Sequence, residues 1–292
     1  MNFQWEMWFH PAAGDWFARF GMVYPAVWGF VLFWVFAFGA CIGSFLNVCI
    51  WRIPRGESLS KAASHCTVCG TPIRWYDNLP VLSYLLLRGR CRACHARYSS
   101  TYFWVELSCG GLFALALLKT GLSRQVPELI PAQWALIFFA IGAALIDLRH
   151  RIIPDRMNYA AMVTGLLLAL IFPAAWGTVS RFGAAATCVL SGVIPAAFAA
   201  IFACVGKWLC KKSVLGWGDV KFLVGIGMLA GLPGGVFSLF FGAASGCIVG
   251  LICGRKYDDP IPLGPFLAAG ALIWIFADQR LLEMYKTICV SI

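Results

Sequence analysis

Charge is scarce in this sequence. Only 12% of the 292 residues are charged, and acids are the rarest, 13 Asp and Glu against 23 Lys and Arg. With 61% of the residues hydrophobic, that balance excludes an ordinary water-soluble domain. Long polar stretches are equally rare: only residues from about 47 to 100 hold one, which excludes a second sizeable extramembrane domain. The first apolar run has neither a basic leader nor a small-residue cleavage site, so it reads as a retained span and not a signal peptide. The chain lacks a soluble-type nucleotide fingerprint too, because Gly225-Ile-Gly227 lies inside an apolar run without the strand that motif requires. No internal repeat at solenoid periods is visible.

What remains is hydrophobic run after hydrophobic run. A spanning helix needs about 20 mostly apolar residues, and eight runs qualify, near 24–49, 102–118, 132–148, 157–172, 182–205, 220–232, 236–253 and 261–276. The sixth is short and Gly-rich, and we expect it to draw on Trp217 to Asp219 for its length. The fold class is therefore an all-α polytopic membrane protein of about eight transmembrane helices, with a polar loop subdomain between the first two. Alternate loops carry 17 of the 23 Lys and Arg, including Arg88, Arg90, Arg92 and Arg97 in the polar loop. Basic loops stay in the cytoplasm, so this pattern predicts a cytoplasmic polar loop and both termini outside. Orientation and attraction to anionic lipid headgroups account for the formal charge of +10, and nucleic acid is not expected as a partner. Residues 1–23, with Trp5, Trp8, Phe9, Trp16, Phe17 and Phe20 at helical spacing, read as an amphipathic anchor in the interface.

The polar loop, 50–101, contains Cys66-Thr-Val-Cys69 and, after 21 residues, Cys91-Arg-Ala-Cys94. Two such knuckles close a tetrahedron around one zinc ion. Two disulfides are the competing reading, but they rarely persist in a reducing cytosol. Four thiolates leave no position for water, so the zinc is expected to be structural. His65 and His95, beside the knuckles, are read as bystanders, and the nine other cysteines, such as Cys49, Cys109 and Cys188, as small apolar residues.

A carboxylate at the edge of a span is costly and marks a functional candidate. Asp147 closes the third run, in Leu145-Ile146-Asp147-Leu148-Arg149, and Asp219 opens the sixth, in Gly216-Trp217-Gly218-Asp219-Val220-Lys221. The charge topology puts both at the cytoplasmic face. For either alone, a helix-end pairing with Arg149 or Lys221 would suffice. Together they can share one proton, the ionised member activating a water and the protonated member donating to a scissile carbonyl oxygen. Gly216 and Gly218 remove bulk beside Asp219 and would admit a peptide strand. Asp155 after Pro154 is read as a helix N-cap, Glu106 has no evident partner, and Asp258 and Asp259 read as the solvated start of the last helix.

At this point the residues resemble a known family, the bacterial type IV prepilin peptidases, over nearly the whole chain. The matching segments are Gly43-Ser-Phe-Leu-Asn47, the two knuckles, Trp75-Tyr-Asp-Asn78, Leu87-Arg-Gly-Arg-Cys91, Asp147 with Ile153-Pro154-Asp155, Gly216-Trp-Gly-Asp219 and Gly264-Pro265-Phe266. The resemblance implies an inner-membrane aspartyl protease that removes basic leaders after Gly from prepilins and pseudopilins with an apolar N-terminal helix. It then methylates the new N-terminus with S-adenosylmethionine. It further implies that Asp147 and Asp219 carry proteolysis, within a seven-helix catalytic domain spanning 102–292, and that the zinc loop serves methylation. The chain departs from the family pattern at Thr101-Tyr102-Phe103, where Arg-Tyr-Pro is usual, and at Ser213-Val214, where Glu-Gly is common. Two other readings stay open on the residues: a protease-only enzyme, and a non-enzymatic transporter or scaffold whose acids line an ion path.

Overall fold

The computed structural model describes residues 25–59, 64–123, 126–210, 215–252 and 262–290. The interfacial anchor expected over 1–23, Asp258 with Asp259, and both chain ends lie outside the described residues. The architecture is helical, and among the described residues the only β-pairing is two isolated bridges. The chain divides into two compact units, residues 1–125 and 126–292.

The first unit is a helix pair carrying the polar loop. Helix α1 (Pro25–Arg52) packs along α3 (Thr101–Leu122), and the described part of the loop between them holds a short α-helix, α2 (Leu82–Leu86), and two 3-10 turns, Ile53–Arg55 and Trp75–Asn78. Small residues let the long helices touch: a Cβ on Gly43 would stand 2.8 Å from the Glu106 Cα, and one on Gly110 would stand 2.8 Å from the Phe36 carbonyl oxygen. Asn47, buried near the end of α1, donates from Nδ2 to the Tyr102 carbonyl at 3.1 Å, tying together the two ends of the loop. Glu106 gains a partner that the sequence did not suggest. Its Oε2 accepts the backbone N–H of Val81 at 2.8 Å and so holds the start of α2, where Val81 adopts a left-handed φ of 63°.

The second unit contains α4 (Leu129–His150), α5 (Asp155–Ile171), α6 (Arg181–Cys210), α7 (Trp217–Ile252) and α8 (Gly264–Val290). Helix α7 packs against α6 and α8, and α8 against α4. Ala169, Ala184, Cys188 and Met228 form a buried cluster, which places Cys188 in the apolar role expected of it. By length and composition, α1, α3, α4, α6 and α7 can cross a membrane, while the Gly264–Asp278 part of α8 is apolar but shorter. The sixth and seventh apolar runs lie on one helix. At 36 residues α7 would extend roughly 54 Å if straight, well beyond the roughly 30 Å of a hydrocarbon core. It is broken at Gly231, whose φ of 75° and ψ of 170° leave the helical region, with Pro233 removing one further ladder N–H. Its first residue is Trp217, so the short sixth run does draw on Trp217 to Asp219.

Candidate active site and metal centre

Four chain segments of the second unit meet around the two aspartates. Asp147 sits in the last turn of α4 and is only 4% exposed, an unusual place for a carboxylate. The helix ends just past it: Arg151 takes the left-handed conformation and returns its N–H to the Asp147 carbonyl at 2.8 Å. Ile153 and an extended Pro154 then lead into α5. Asp219 lies in the first turn of α7, where the Gly216 carbonyl accepts the N–H groups of Asp219 and Val220 at 3.2 and 3.4 Å. The fourth segment is the start of α8. The Gly264 N–H donates to Asp147 Oδ2 at 3.0 Å, and a Cβ at residue 264 would stand 2.7 Å from that same oxygen. Only glycine fits there without displacing the carboxylate. Ile153 packs against both Gly218, next to Asp219, and Gly264, next to the Asp147 carboxyl, so the first turn of α7 and the end of α4 lie against the same residue.

The glycines beside Asp219 have different surroundings. Gly216 is exposed, and a Cβ there would meet only the Asp219 carboxyl, at 3.0 Å. Gly218 is packed: a Cβ would come 3.4 Å from the Ile153 carbonyl oxygen. The start of α5 braces this segment further. Asn158, 1% exposed, donates from Nδ2 to the Gly218 carbonyl at 3.3 Å, and its Oδ1 is buried without a partner. Asp155 does not cap α5. Its carboxylate instead pairs with Lys221 at 2.8 Å, across to the first turn of α7. That also accounts for Lys221, which one sequence reading had offered to Asp219. Gly264, Asn158 and Ile153 therefore support the pair; Gly264 and Ile153 stand in segments that carry the family resemblance, and Asn158 has no signal in the sequence.

In the first unit, Cys66, Cys69, Cys91 and Cys94 bring their sulfurs within 4.8 Å of one another. The Cys66–Cys94 and Cys69–Cys91 separations are 3.8 and 4.0 Å. A tetrahedral zinc with Zn–S bonds of about 2.3 Å requires S···S distances of about 3.8 Å, whereas a disulfide requires about 2.05 Å. The cluster has the dimensions of a metal site, and all four thiols are free. Both knuckles fold alike: the N–H five residues into each turn (Gly70, His95) returns to the Cys66 or Cys91 carbonyl at 2.9 Å. Both of those residues are left-handed, so His95 occupies the turn position that Gly70 fills in the other knuckle, and neither His65 nor His95 joins the cluster. Hydrogen bonding with Thr71 pushes the Cys69 thiol down to about 6, and backbone N–H groups of Cys94 and Ala93 lower Cys91, both favouring the thiolate, whereas Cys94, despite the Ala96 backbone N–H, is pushed up to about 11 by desolvation and its three cysteine neighbours.

The loop is knitted to this cluster by the Trp75-Tyr-Asp-Asn78 segment. Arg92, inside the second knuckle, grips Asp77 with Nε at 3.0 and 2.9 Å from its two oxygens, holding that carboxyl below the usual carboxylate range. Tyr84 packs on Tyr98 and Phe103 at ring separations of 5.4 and 5.1 Å. Phe103, one of the residues departing from the family pattern, is thus part of a small aromatic core that seats the loop on α3.

Comparison with known proteins now settles the lineage. The model of the bacterial peptidase A24 N-terminal domain matches residues 37–120, and that of the type IV leader peptidase family matches residues 134–251. A prepilin leader peptidase/N-methyltransferase of Burkholderia pseudomallei (strain 1026b) is 31% identical over 286 residues, covering 85% of this chain and 86% of its own. The chain belongs to the type IV leader peptidase family. Two further relatives of this peptidase support the assignment. The prepilin leader peptidase/N-methyltransferase of Pseudomonas putida is 32% identical over 82% of this chain and 89% of its own. The type 4 prepilin-like proteins leader peptide-processing enzyme of Escherichia coli O78:H11 is 34% identical over 82% and 91%. No solved structure is significantly similar to the chain. The two family models meet the two units: the N-terminal match contains the four cysteines, and the peptidase match contains Asp147 and Asp219.

Proposed function

We propose that this leader peptidase cleaves basic leaders from prepilins and pseudopilins after Gly, using Asp147 and Asp219, and N-methylates the exposed terminus with S-adenosylmethionine. The observation that supports the proteolytic half is that Ile153 packs against both Gly218, beside Asp219, and Gly264, whose N–H binds Asp147, which draws together two acids from helices far apart in sequence. One member, ionised, takes a proton from a water as that water attacks the scissile carbonyl; the other, protonated, donates to the carbonyl oxygen. The tetrahedral product collapses as the proton is handed to the leaving amine. The Gly264 N–H fixes one oxygen of Asp147, so that carboxyl turns its other oxygen to the chemistry. Gly216, exposed beside Asp219, leaves backbone room for the substrate strand. A prepilin suits this site because its apolar helix can lie in lipid while its leader remains at the polar edge.

For the methylating half, the four-cysteine cluster would hold zinc as a structural ion that fixes the loop, and S-adenosylmethionine would supply the methyl group. The positive-inside pattern supports an inner-membrane enzyme with the loop in the cytoplasm and both termini in the periplasm. The test supplies the purified enzyme with a prepilin and methyl-labelled S-adenosylmethionine and reads the mass and label of the mature chain. A shortened chain carrying one labelled methyl is expected. A shortened chain without label leaves a protease alone, and an uncut labelled chain overturns the reading.

A further inference from the structure

The loop presents a concave surface that the peptidase chemistry does not use. A pocket of about 560 Å³ is ringed by Arg88, Arg90, Arg92 and Arg97, with His95 and Leu86 beside them. Asp77 compensates Arg92, but among the described residues no acid pairs with Arg88, Arg90 or Arg97. Arg90 and Arg97 face each other directly across an antiparallel bridge, a placement in which like charges repel. A zinc tetrathiolate nearby would carry a formal charge of −2 and offset part of this charge but not all of it. Such an arrangement is stable when an anion enters between the guanidinium forks.

Neither proposed substrate is that anion. The leader is basic, and S-adenosylmethionine carries a sulfonium and an ammonium against one carboxylate, so both are repelled. The pocket's apolar wall, Leu86 and Leu87, continues onto an exposed face of α2 and narrows the choice. In α2, Leu82, Leu85 and Leu86 share one face at helical spacing and are 56%, 57% and 77% exposed. The loop is also tethered to the bilayer at both ends, with Arg97 only four residues ahead of the first residue of α3. We propose that Arg88, Arg90 and Arg97, with the leucine face of α2, form a binding site for the phosphate headgroup and upper acyl chain of an anionic phospholipid. The site would press the metal-binding loop onto the membrane surface.

The test uses the full-length, metal-loaded protein in neutral detergent mixed with rising fractions of phosphatidylglycerol or phosphatidylcholine, with retained lipid read by native mass spectrometry. The variant carrying Arg88→Gln, Arg90→Gln and Arg97→Gln should need on the order of 100-fold more phosphatidylglycerol for equal retention, at about 1 kcal/mol per arginine. Phosphatidylcholine retention should not change. Leu82→Ser with Leu86→Ser should weaken phosphatidylglycerol retention while leaving any binding of glycerol 3-phosphate unaltered. Zinc content and thermal melting report whether each variant is folded. Equal phosphatidylglycerol retention by wild type and a folded arginine variant overturns the proposal. So does glycerol 3-phosphate binding as tightly as the lipid, which would make this a site for a soluble phosphate.

Discussion

Adding one methyl group at residue 264 should injure catalysis out of proportion to stability. In Gly264→Ala, the new Cβ would stand 2.7 Å from Asp147 Oδ2, 3.0 Å from Ile153 Cδ1 and 3.2 Å from Asp147 Cβ. The Ile153 tip can swing aside. Asp147 cannot easily do so, because its oxygen is the acceptor of the Gly264 N–H at 3.0 Å and both atoms belong to helix ends. Restoring ordinary contact requires a shift of roughly 0.7–1 Å, and a misplacement of about 1 Å costs about 10²-fold in rate, or about 2.7 kcal/mol in the barrier. Global stability should fall by about 1–3 kcal/mol, the range for overpacking. Steady-state cleavage of a prepilin, with thermal melting alongside, should show kcat reduced by about that factor and KM little changed. Gly246→Ala is the control, since its nearest neighbours beyond the local backbone are at 3.4 and 3.7 Å. If Gly264→Ala retains wild-type kcat, the claim that the start of α8 positions Asp147 is wrong.

Other consequences follow from the same contacts. Asn158→Ala removes the donor to the part-buried Gly218 carbonyl and should cost about 1–3 kcal/mol of stability, with kcat falling more than KM rises; melting and steady-state kinetics check it. Asp155→Asn breaks a partly exposed ion pair with Lys221 and should cost no more than about 1 kcal/mol, with cleavage nearly intact, which a single melting comparison decides. Cys69→Ser leaves three thiolates where the proposed structural zinc would supply an apparent free energy of about 10 kcal/mol or more, so zinc content should drop and limited proteolysis should nick the loop early. Methyl transfer should fail in that variant before cleavage does.

The apolar runs announced the helices because spanning segments must satisfy their own backbone and are long and unbroken by charge. The start of α7 at Trp217 and the four-cysteine cluster were legible for a similar reason: a span needs length, and four thiols at knuckle spacing have one compact geometry. The joining of two runs into α7 was less visible, since the break at Gly231 depends on a single φ that Gly-rich sequence permits but does not demand. The roles of Glu106, Asp155 and Asn158 were hidden because each bonds across the fold, to Val81, Lys221 and Gly218, and no local pattern encodes such distant partners. Gly264 was quoted as part of a motif, yet its reason is steric and appears only when α8 is set against the end of α4.

The most direct test of the account is cleavage of a prepilin in liposomes by wild type, Asp147→Asn and Asp219→Asn, read as the mass of the mature product. Loss of cleavage in both folded variants, with a shortened product from wild type, is the predicted result. Normal cutting by either folded variant would contradict the two-aspartate mechanism.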